Sequence, residues 1–238
     1  MITEKEFPFL AEKGHVVSLV GGGGKTTLLY AMASHCARKG WRVLVSTTTH
    51  IQCPQNGTWA QTDAQVQALW AQGSYAVYAV VGTPASQGKL TMPPEAQLKI
   101  WMNQADAVFL EADGAKRLPC KVPAAHEPVL LPESDIVQAV AGLSALGRPL
   151  QECCFRTELA CALLGVPPET CLTPDLLARL LACGQGGRKG VGTRAFGVVL
   201  NQADTPKRTL LGKQSLKILW EQDRVRGVLT HFDEGERA

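Results

Sequence analysis

The run Val20-Gly21-Gly22-Gly23-Gly24-Lys25-Thr26-Thr27 constrains this chain more than any other stretch. It follows a short apolar segment, His15 to Val20, and opens an apolar, helix-compatible segment, Leu28 to Lys39. Strand, glycine turn, lysine, hydroxyl pair and helix, in that order, make a cradle for phosphate. The glycines let backbone amides converge on an anion at a helix N-terminus, where the dipole also favours negative charge. Lys25 can reach terminal phosphates, and the Thr26 hydroxyl suits Mg²⁺. The expectation is a nucleoside triphosphate site formed by Gly21, Gly22, Gly23, Gly24, Lys25, Thr26 and Thr27, with Mg²⁺ as its metal.

The strict spacing G-x-x-x-x-G-K-[ST] would need glycine at position 19, which is Leu19. The run instead resembles the variant loop G-G-x-G-K-[ST]-T of the NTPase class that includes nitrogenase iron protein, the signal recognition GTPases and the nickel-insertion GTPases. Many of those proteins carry a lysine before the first paired glycine; here it is Val20. No second lysine at this position can therefore reach across a dimer interface.

A chain of 238 residues suffices for one large domain or a domain with a subdomain. The formal net charge of +3 is too small, and its basic residues too scattered, to argue for a nucleic-acid partner. The start Met1-Ile2-Thr3-Glu4-Lys5-Glu6 is charged and lacks a signal-peptide core, and no apolar run reaches membrane-spanning length. The expectation is a cytoplasmic protein with no membrane partner. Its eight cysteines form no C-x-x-C pair, which fits free thiols in a reducing compartment. Cys120 stands out because it follows a candidate catalytic segment.

Periodicity and turn signals give the organisation. Strands are expected at 15–20, 42–46, 75–81, 107–110, 135–140, 195–200 and 225–229. Helices are expected at 25–39, 65–71, from 93 or 94 to 103, 155–164, 174–183 and 206–220. A strand–helix–strand unit with short connections argues for parallel pairing and a right-handed crossover. The expected fold is α/β, P-loop NTPase-like, with a mostly parallel sheet flanked by helices. It is read as one domain over 1–238 with a helical insertion at about 143–189.

Three further segments carry chemistry. Glu111-Ala112-Asp113-Gly114 ends a central strand, where open α/β sheets bind ligands. Phe109-Leu110-Glu111-x-x-Gly114 resembles the E-x-x-G segment of nickel-insertion GTPases, favouring Glu111 as the acid on the metal side. Asp113 is then the candidate for orienting the attacking water. Asn201-Gln202-Ala203-Asp204 ends another strand and matches the placement of the guanine-reading N-K-x-D segment. There Asp204 would accept from the guanine N1–H and 2-amino groups, which adenine lacks. Gln202 replaces the lysine whose stem packs along the base, and Asp204 or Thr205 could equally cap the next helix. Ser46-Thr47-Thr48-Thr49-His50 offers hydroxyls to Mg²⁺ or phosphate, or is β-branched strand filler. Lys116, Arg117 and Lys121, with the His126–Glu127 pair, lie in a proline-punctuated loop. That loop could bind an anionic second substrate, respond to the nucleotide state, or be a solvated charge run. Arg188 and Lys189 could add a phosphate contact.

Segments 20–27, 46–50, 111–123, 126–128 and 200–204 together resemble the YqeC family, along nearly the whole chain from Phe9 to about Leu229. Members are described as accessory proteins of selenium-dependent molybdenum hydroxylases. The resemblance implies a partner molybdenum enzyme or its cofactor, nucleotide binding at Gly21 to Thr27, and acidic and basic residues of 111–121 nearby. The resulting expectation is GTP or ATP binding with slow hydrolysis, GTP favoured, in maturation or cofactor insertion. Lys25, Glu111 and Asp113 are the catalytic candidates, and Thr26 and Glu111 the metal ligands. Asn201 and Asp204 form the base site. Two alternatives stay open: a kinase or nucleotidyltransferase acting on a small cofactor precursor, and a non-catalytic nucleotide-binding scaffold.

Overall fold

The computed structural model describes residues 2–54, 58–72 and 77–232. The chain runs through β1 (His15–Gly21), α1 (Lys25–Arg38), β2 (Val43–Thr47), β3 (His50–Gln52), β4 (Trp59–Ala60), α2 (Asp63–Ala71) and β5 (Ala79–Val81). It continues through β6 (Thr83–Ala85), β7 (Lys89–Thr91), α3 (Glu95–Gln104), β8 (Ala107–Glu111), β9 (Cys120–Lys121) and β10 (Ile136–Gly142). Then come α4 (Leu150–Cys153), β11 (Cys154–Phe155), α5 (Thr157–Leu164), α6 (Pro174–Ala182), β12 (Ala195–Asn201), α7 (Pro206–Asp223) and β13 (Gly227–Leu229).

Eight strands form one sheet in the order β13-β12-β10-β1-β8-β2-β5-β4, and every pair in it is parallel. This is the α/β architecture expected of a P-loop protein. Its central strands are buried on both faces, so they read as unbroken apolar runs rather than alternation. β1 sits mid-sheet. The chain leaves it through α1 toward β2 and one edge, and later fills β10, β12 and β13 on the other side. Such a reversal opens a crevice at the carboxyl ends of the strands, and the glycine run emerges there.

Local chemistry explains the flanking helices. α1 buries Leu28, Leu29, Met32, Ala33, Cys36 and Ala37 along one stripe. α6 starts at Thr173, whose hydroxyl accepts the Leu176 amide, with Pro174 at its first position. Thr205 and Pro206 start α7 in the same way. Apolar clusters lie on both sides of the sheet: one under α1, one under α2 and α3, and one joining β10 and β12 to α5 and α6.

Several boundaries move from the sequence expectation. α2 begins at Asp63 rather than at 65, because Thr62 and Gln65 form a reciprocal capping box. The expected strand 75–81 is regular only at Ala79–Val81, and residues 75 and 76 lie outside the described residues. β10 extends two residues past 140 and occupies a central position, its small residues Ala139, Ala141 and Gly142 being weak strand signals. Phe155 is not helical: it pairs with Lys121 across β9 and β11, and α5 starts at Thr157. A second sheet, antiparallel in the order β3-β7-β6, was not expected, since three-residue strands are too short to show a period.

Candidate phosphate-binding site

The glycine run follows β1 directly and ends at the first turn of α1. Gly23 shows why a side chain is excluded. Its φ is +77°, and a Cβ there would sit 2.1 Å from the Gly142 nitrogen. β10 therefore approaches the loop backbone to backbone. The loop is also tied down: the Gly22 amide donates to the Val140 carbonyl (2.9 Å) and the Gly23 amide to the Leu118 carbonyl (3.1 Å). Asp113 takes the Gly21 amide. Among the described residues, the amides of Gly24, Lys25, Thr26 and Thr27 find no protein acceptor. They are the orphan donors of a 14-residue helix, and they open into a cleft of about 1840 Å³ lined by Gly22 through Thr27. The free donors of this loop thus lie in its second half.

Register places the acid. Glu111 ends β8, opposite Leu19 of β1 and Thr47 of β2. From there its Oε2 accepts the Thr26 hydroxyl at 2.7 Å, and its Oε1 lies 3.7 Å from Lys25 Nζ. The two residues expected to share Mg²⁺ are therefore already in contact. A carboxylate and a hydroxyl side by side are hard oxygen donors, the set Mg²⁺ prefers. Burial pushes the Glu111 carboxyl above its usual range, and Asp113 adds to that, while Lys25 and the Thr26 hydroxyl pull it down.

Lys25 is only 4% exposed, and Asp113 only 2%. The ammonium donates to the Gly21 carbonyl (2.5 Å) and lies 3.0 Å from Asp113 Oδ1. Burial alone would drain its proton. Asp113 and Glu111 outweigh that and raise its pKa, so it stays charged. On the far side of Asp113, Lys121 Nζ lies 3.0 Å from Oδ2 and 2.8 Å from Glu127, which also receives Arg156 Nη1 at 2.6 Å. Three acids and three cations alternate from the phosphate loop to the start of α5. Burial raises the Glu127 pKa, but hydrogen bonds from Arg156, Lys121 and the Ala124 amide overcome it and bring the pKa down to about 2.

The remaining expected residues are scattered around this centre. Asn201, at the end of β12, donates to the Gly23 carbonyl (2.9 Å) and accepts from the Thr230 hydroxyl (3.0 Å). It braces the phosphate loop. Asp204 is exposed and pairs with Arg208 at 3.1 Å, while Thr205 caps α7. Gln202, not Asp204, lines the cleft, and its amide oxygen accepts from the Ser144 hydroxyl. Thr47 and Thr48 spend their hydroxyls on the carbonyls of Glu111 and Val129, whereas Thr49 Oγ1 is buried at the cleft wall without a partner among the described residues. Lys189 is bound to the carbonyls of Ala124 and Ala125, and Arg188 lies over Phe196; neither lines the cleft. Cys120 faces Cys154 across β9 and β11, both buried.

Sequence reasoning missed the role of Lys121 as the buried partner of two acids, and it missed Arg156. The signal was available for Lys121, an isolated lysine between Cys120 and Val122 in an apolar, proline-flanked stretch. Arg156 enters through a left-handed backbone (φ +67°) that no local pattern announces. Left-handed conformations cost about 1–2 kcal/mol at non-glycine residues.

No helix among the described residues is long and apolar enough to cross a membrane. Compared with known proteins, the chain is 32% identical over 182 residues to the protein YqeC of Escherichia coli (strain K12), covering 74% of this chain and 71% of that one. Among solved structures it is similar to HypB from Helicobacter pylori in complex with nickel. That likeness has a TM-score of 0.41 and 13% identity, over 96% of this chain and 83% of the other. The family model described as YqeC protein matches residues 17–158, which contain the whole phosphate loop and the Glu111–Arg156 charge chain. On the extent of that match and the identity to the Escherichia coli protein, the chain belongs to the YqeC family.

Proposed function

We propose that this protein binds a nucleoside triphosphate with Mg²⁺ and hydrolyses it slowly, GTP being favoured over ATP. In this reading the work serves maturation or cofactor insertion in a selenium-dependent molybdenum hydroxylase. The observation that carries the nucleotide reading is the Thr26–Glu111 contact beside the free amides of Gly24 to Thr27. A triphosphate tail needs donors for its oxygens and hard ligands for its cation, and both converge there.

Each residue then has a task. The amides of Gly24 through Thr27 and the Lys25 ammonium stabilise charge on the β- and γ-phosphates. Thr26 and Glu111 would hold Mg²⁺, directly or through water. When bound, the metal would neutralise phosphate charge as a Lewis acid. Asp113 anchors Gly21 and two ammonium groups, so orienting a water requires Lys25 to turn from it to the phosphates. Asn201 supports the loop, and Asp204 remains the proposed reader of guanine. The link to a molybdenum enzyme rests on family resemblance.

The test is a thermal-shift titration with GTP and ATP, each with Mg²⁺, on wild type and Asp204→Ala. The expected result is a nucleotide-dependent rise in Tm, with GTP weakened more than ATP by the substitution. Equal loss of both, or of neither, counts against guanine preference. A melting point unmoved by either nucleotide ends the proposal.

One observation favours a second reading. The cleft exceeds the roughly 300–1,000 Å³ of an ordinary ligand pocket. It continues past Thr26 along Tyr30, Ser34 and Arg38 of α1 to His50 and Lys89. A kinase or nucleotidyltransferase would seat its acceptor there. Such an enzyme consumes triphosphate only when the acceptor is present and leaves a modified product.

A further inference from the structure

The turn after the acidic segment is built against the preferences of its own residues. The Leu118 amide donates to the Ala115 carbonyl (2.9 Å), closing a four-residue turn around Lys116 (φ +48°) and Arg117 (φ +64°). Positive φ at both central positions marks a type I′ turn, which Asn-Gly fills without strain. Here a Lys-Arg pair fills it. Strain of this kind concentrates at functional sites, where the surrounding structure enforces it. The pattern holds across the molecule. Of the six non-glycine residues with positive φ among the described residues, five line the same cleft: Gln87, Lys116, Arg117, Arg156 and Gln202.

The turn is fixed directly against the phosphate loop. The Leu118 carbonyl accepts the Gly23 amide (3.1 Å), and the Pro119 carbonyl accepts the Gly142 amide (2.7 Å). Lys116 is held by its ammonium 5.0 Å from the centre of the Phe155 ring. Arg117 is different. It is exposed, it lines the cleft, and it has no hydrogen-bond or ion-pair partner among the described residues. An unspent guanidinium thus sits one residue from the backbone that touches the loop. The same cleft is lined by Gly24 to Thr27, whose amides are free among the described residues.

We infer that Arg117 is a charge-stabilising residue supplied by the chain itself: its guanidinium meets the oxygens of the phosphoryl group being transferred. This deepens the proposed nucleotide function and rests on it. In hydrolysis the bond between the γ-phosphorus and the β–γ bridging oxygen breaks, and its electron pair leaves with the nucleoside diphosphate. A bond from a water oxygen to the γ-phosphorus forms, and the water proton passes to phosphate or solvent. Arg117 keeps its protons throughout and compensates the charge spread over the equatorial oxygens. Lys116 is a positioning residue, pinned on Phe155 so that the turn presents Arg117.

The test measures turnover and nucleotide affinity, with GTP and with ATP plus Mg²⁺, for wild type, Arg117→Ala, Arg117→Lys and the pair Lys116→Asn with Arg117→Gly. Arg117→Ala should lower kcat about 100-fold and leave affinity close to wild type. Arg117→Lys should recover little, because an ammonium lacks the guanidinium fork. Added guanidinium ion should restore part of the Arg117→Ala rate. The Asn-Gly pair should melt higher than wild type while turning over no faster than Arg117→Ala, since it relaxes the turn and deletes the charge. An Arg117→Ala protein with wild-type kcat, or one whose loss lies entirely in affinity, overturns the inference. A wild-type protein that binds nucleotide but never turns it over also overturns it, while leaving the binding site intact. Failure to bind at all removes the underlying reading as well.

Discussion

Asp113 accepts the Gly21 amide through both carboxylate oxygens, at 3.1 and 3.0 Å. The same two oxygens each hold one buried ammonium, from Lys25 and Lys121. The first glycine of the phosphate loop is therefore fixed by the group that also keeps the loop lysine charged. Position of the loop and charge of its lysine are one structural fact, and it extends through Lys121 to Glu127 and Arg156.

Asp113→Asn tests that dependence. The amide still offers an oxygen to Gly21, but it leaves two buried ammonium groups and the half-buried Arg156 facing two acids. Breaking a buried pair by removing one partner costs about 3–5 kcal/mol. Urea denaturation should show a loss of that order. Adding Lys121→Met should recover part of it, because the two sites share a contact and cannot be additive. A stability loss within error of zero would show that the network carries no such coupling.

Thr26→Ala tests the metal assignment. The hydroxyl donates to Glu111 (2.7 Å) and is the only side-chain oxygen at the first turn of α1 in contact with that acid among the described residues. The substitution should leave the fold intact. It should remove the part of the nucleotide-induced Tm rise that depends on Mg²⁺, and Thr26→Ser should keep it. Melting curves with and without Mg²⁺ decide. A Thr26→Ala protein with an undiminished Mg²⁺ effect would place the cation elsewhere.

The frame of this site was legible in the sequence because its parts are local. Glycines followed by Lys25 and Thr26 announce a strand–loop–helix junction, and Phe109-Leu110-Glu111 reads as a buried strand ending in an acid. Parallel pairing then brings Glu111 to Thr26 without further information. The charge chain was not legible in this way. Arg156 reaches Glu127, 29 residues earlier in the chain, because β11 pairs with β9. The place of Asn201 in N-x-x-D points to it as a base-site residue. That it supports Gly23 depends on β12 lying beside β10, and no spacing encodes that. The small antiparallel sheet leaves no period in the sequence because its strands are three residues long.

Acid should weaken the fold through Glu127. Its pKa falls from 4.5 to about 2 in the folded protein. A depressed carboxyl contributes stability that is fully present above the unfolded pKa and is lost as pH falls through the folded one. The window is therefore from about pH 4.5 down to about 2, and the loss is on the order of a few kcal/mol. Glu127→Gln should be less stable at neutral pH and should lose less on acidification across that window. Parallel denaturation curves at pH 7, 4.5 and 3 test this. Equal slopes for the two proteins would assign the acid sensitivity to other carboxyls.

Asn201 and Asp204 lie in one short segment and should fail differently. Asn201 is buried, with one side-chain bond to the Gly23 carbonyl and one from the Thr230 hydroxyl. Asn201→Ala strands both partners, at a cost of about 1–3 kcal/mol. Because the damage is to the loop proposed to hold phosphate, affinity for GTP and ATP should fall together, and inorganic triphosphate should weaken with them. Asp204 is exposed and pairs with Arg208. Asp204→Ala should therefore leave inorganic triphosphate and ATP binding unchanged and weaken GTP alone. Calorimetric titration of the two variants with these three ligands separates loop support from base reading. Loss of GTP alone in Asn201→Ala, or of triphosphate in Asp204→Ala, would reverse the assignment of the two residues.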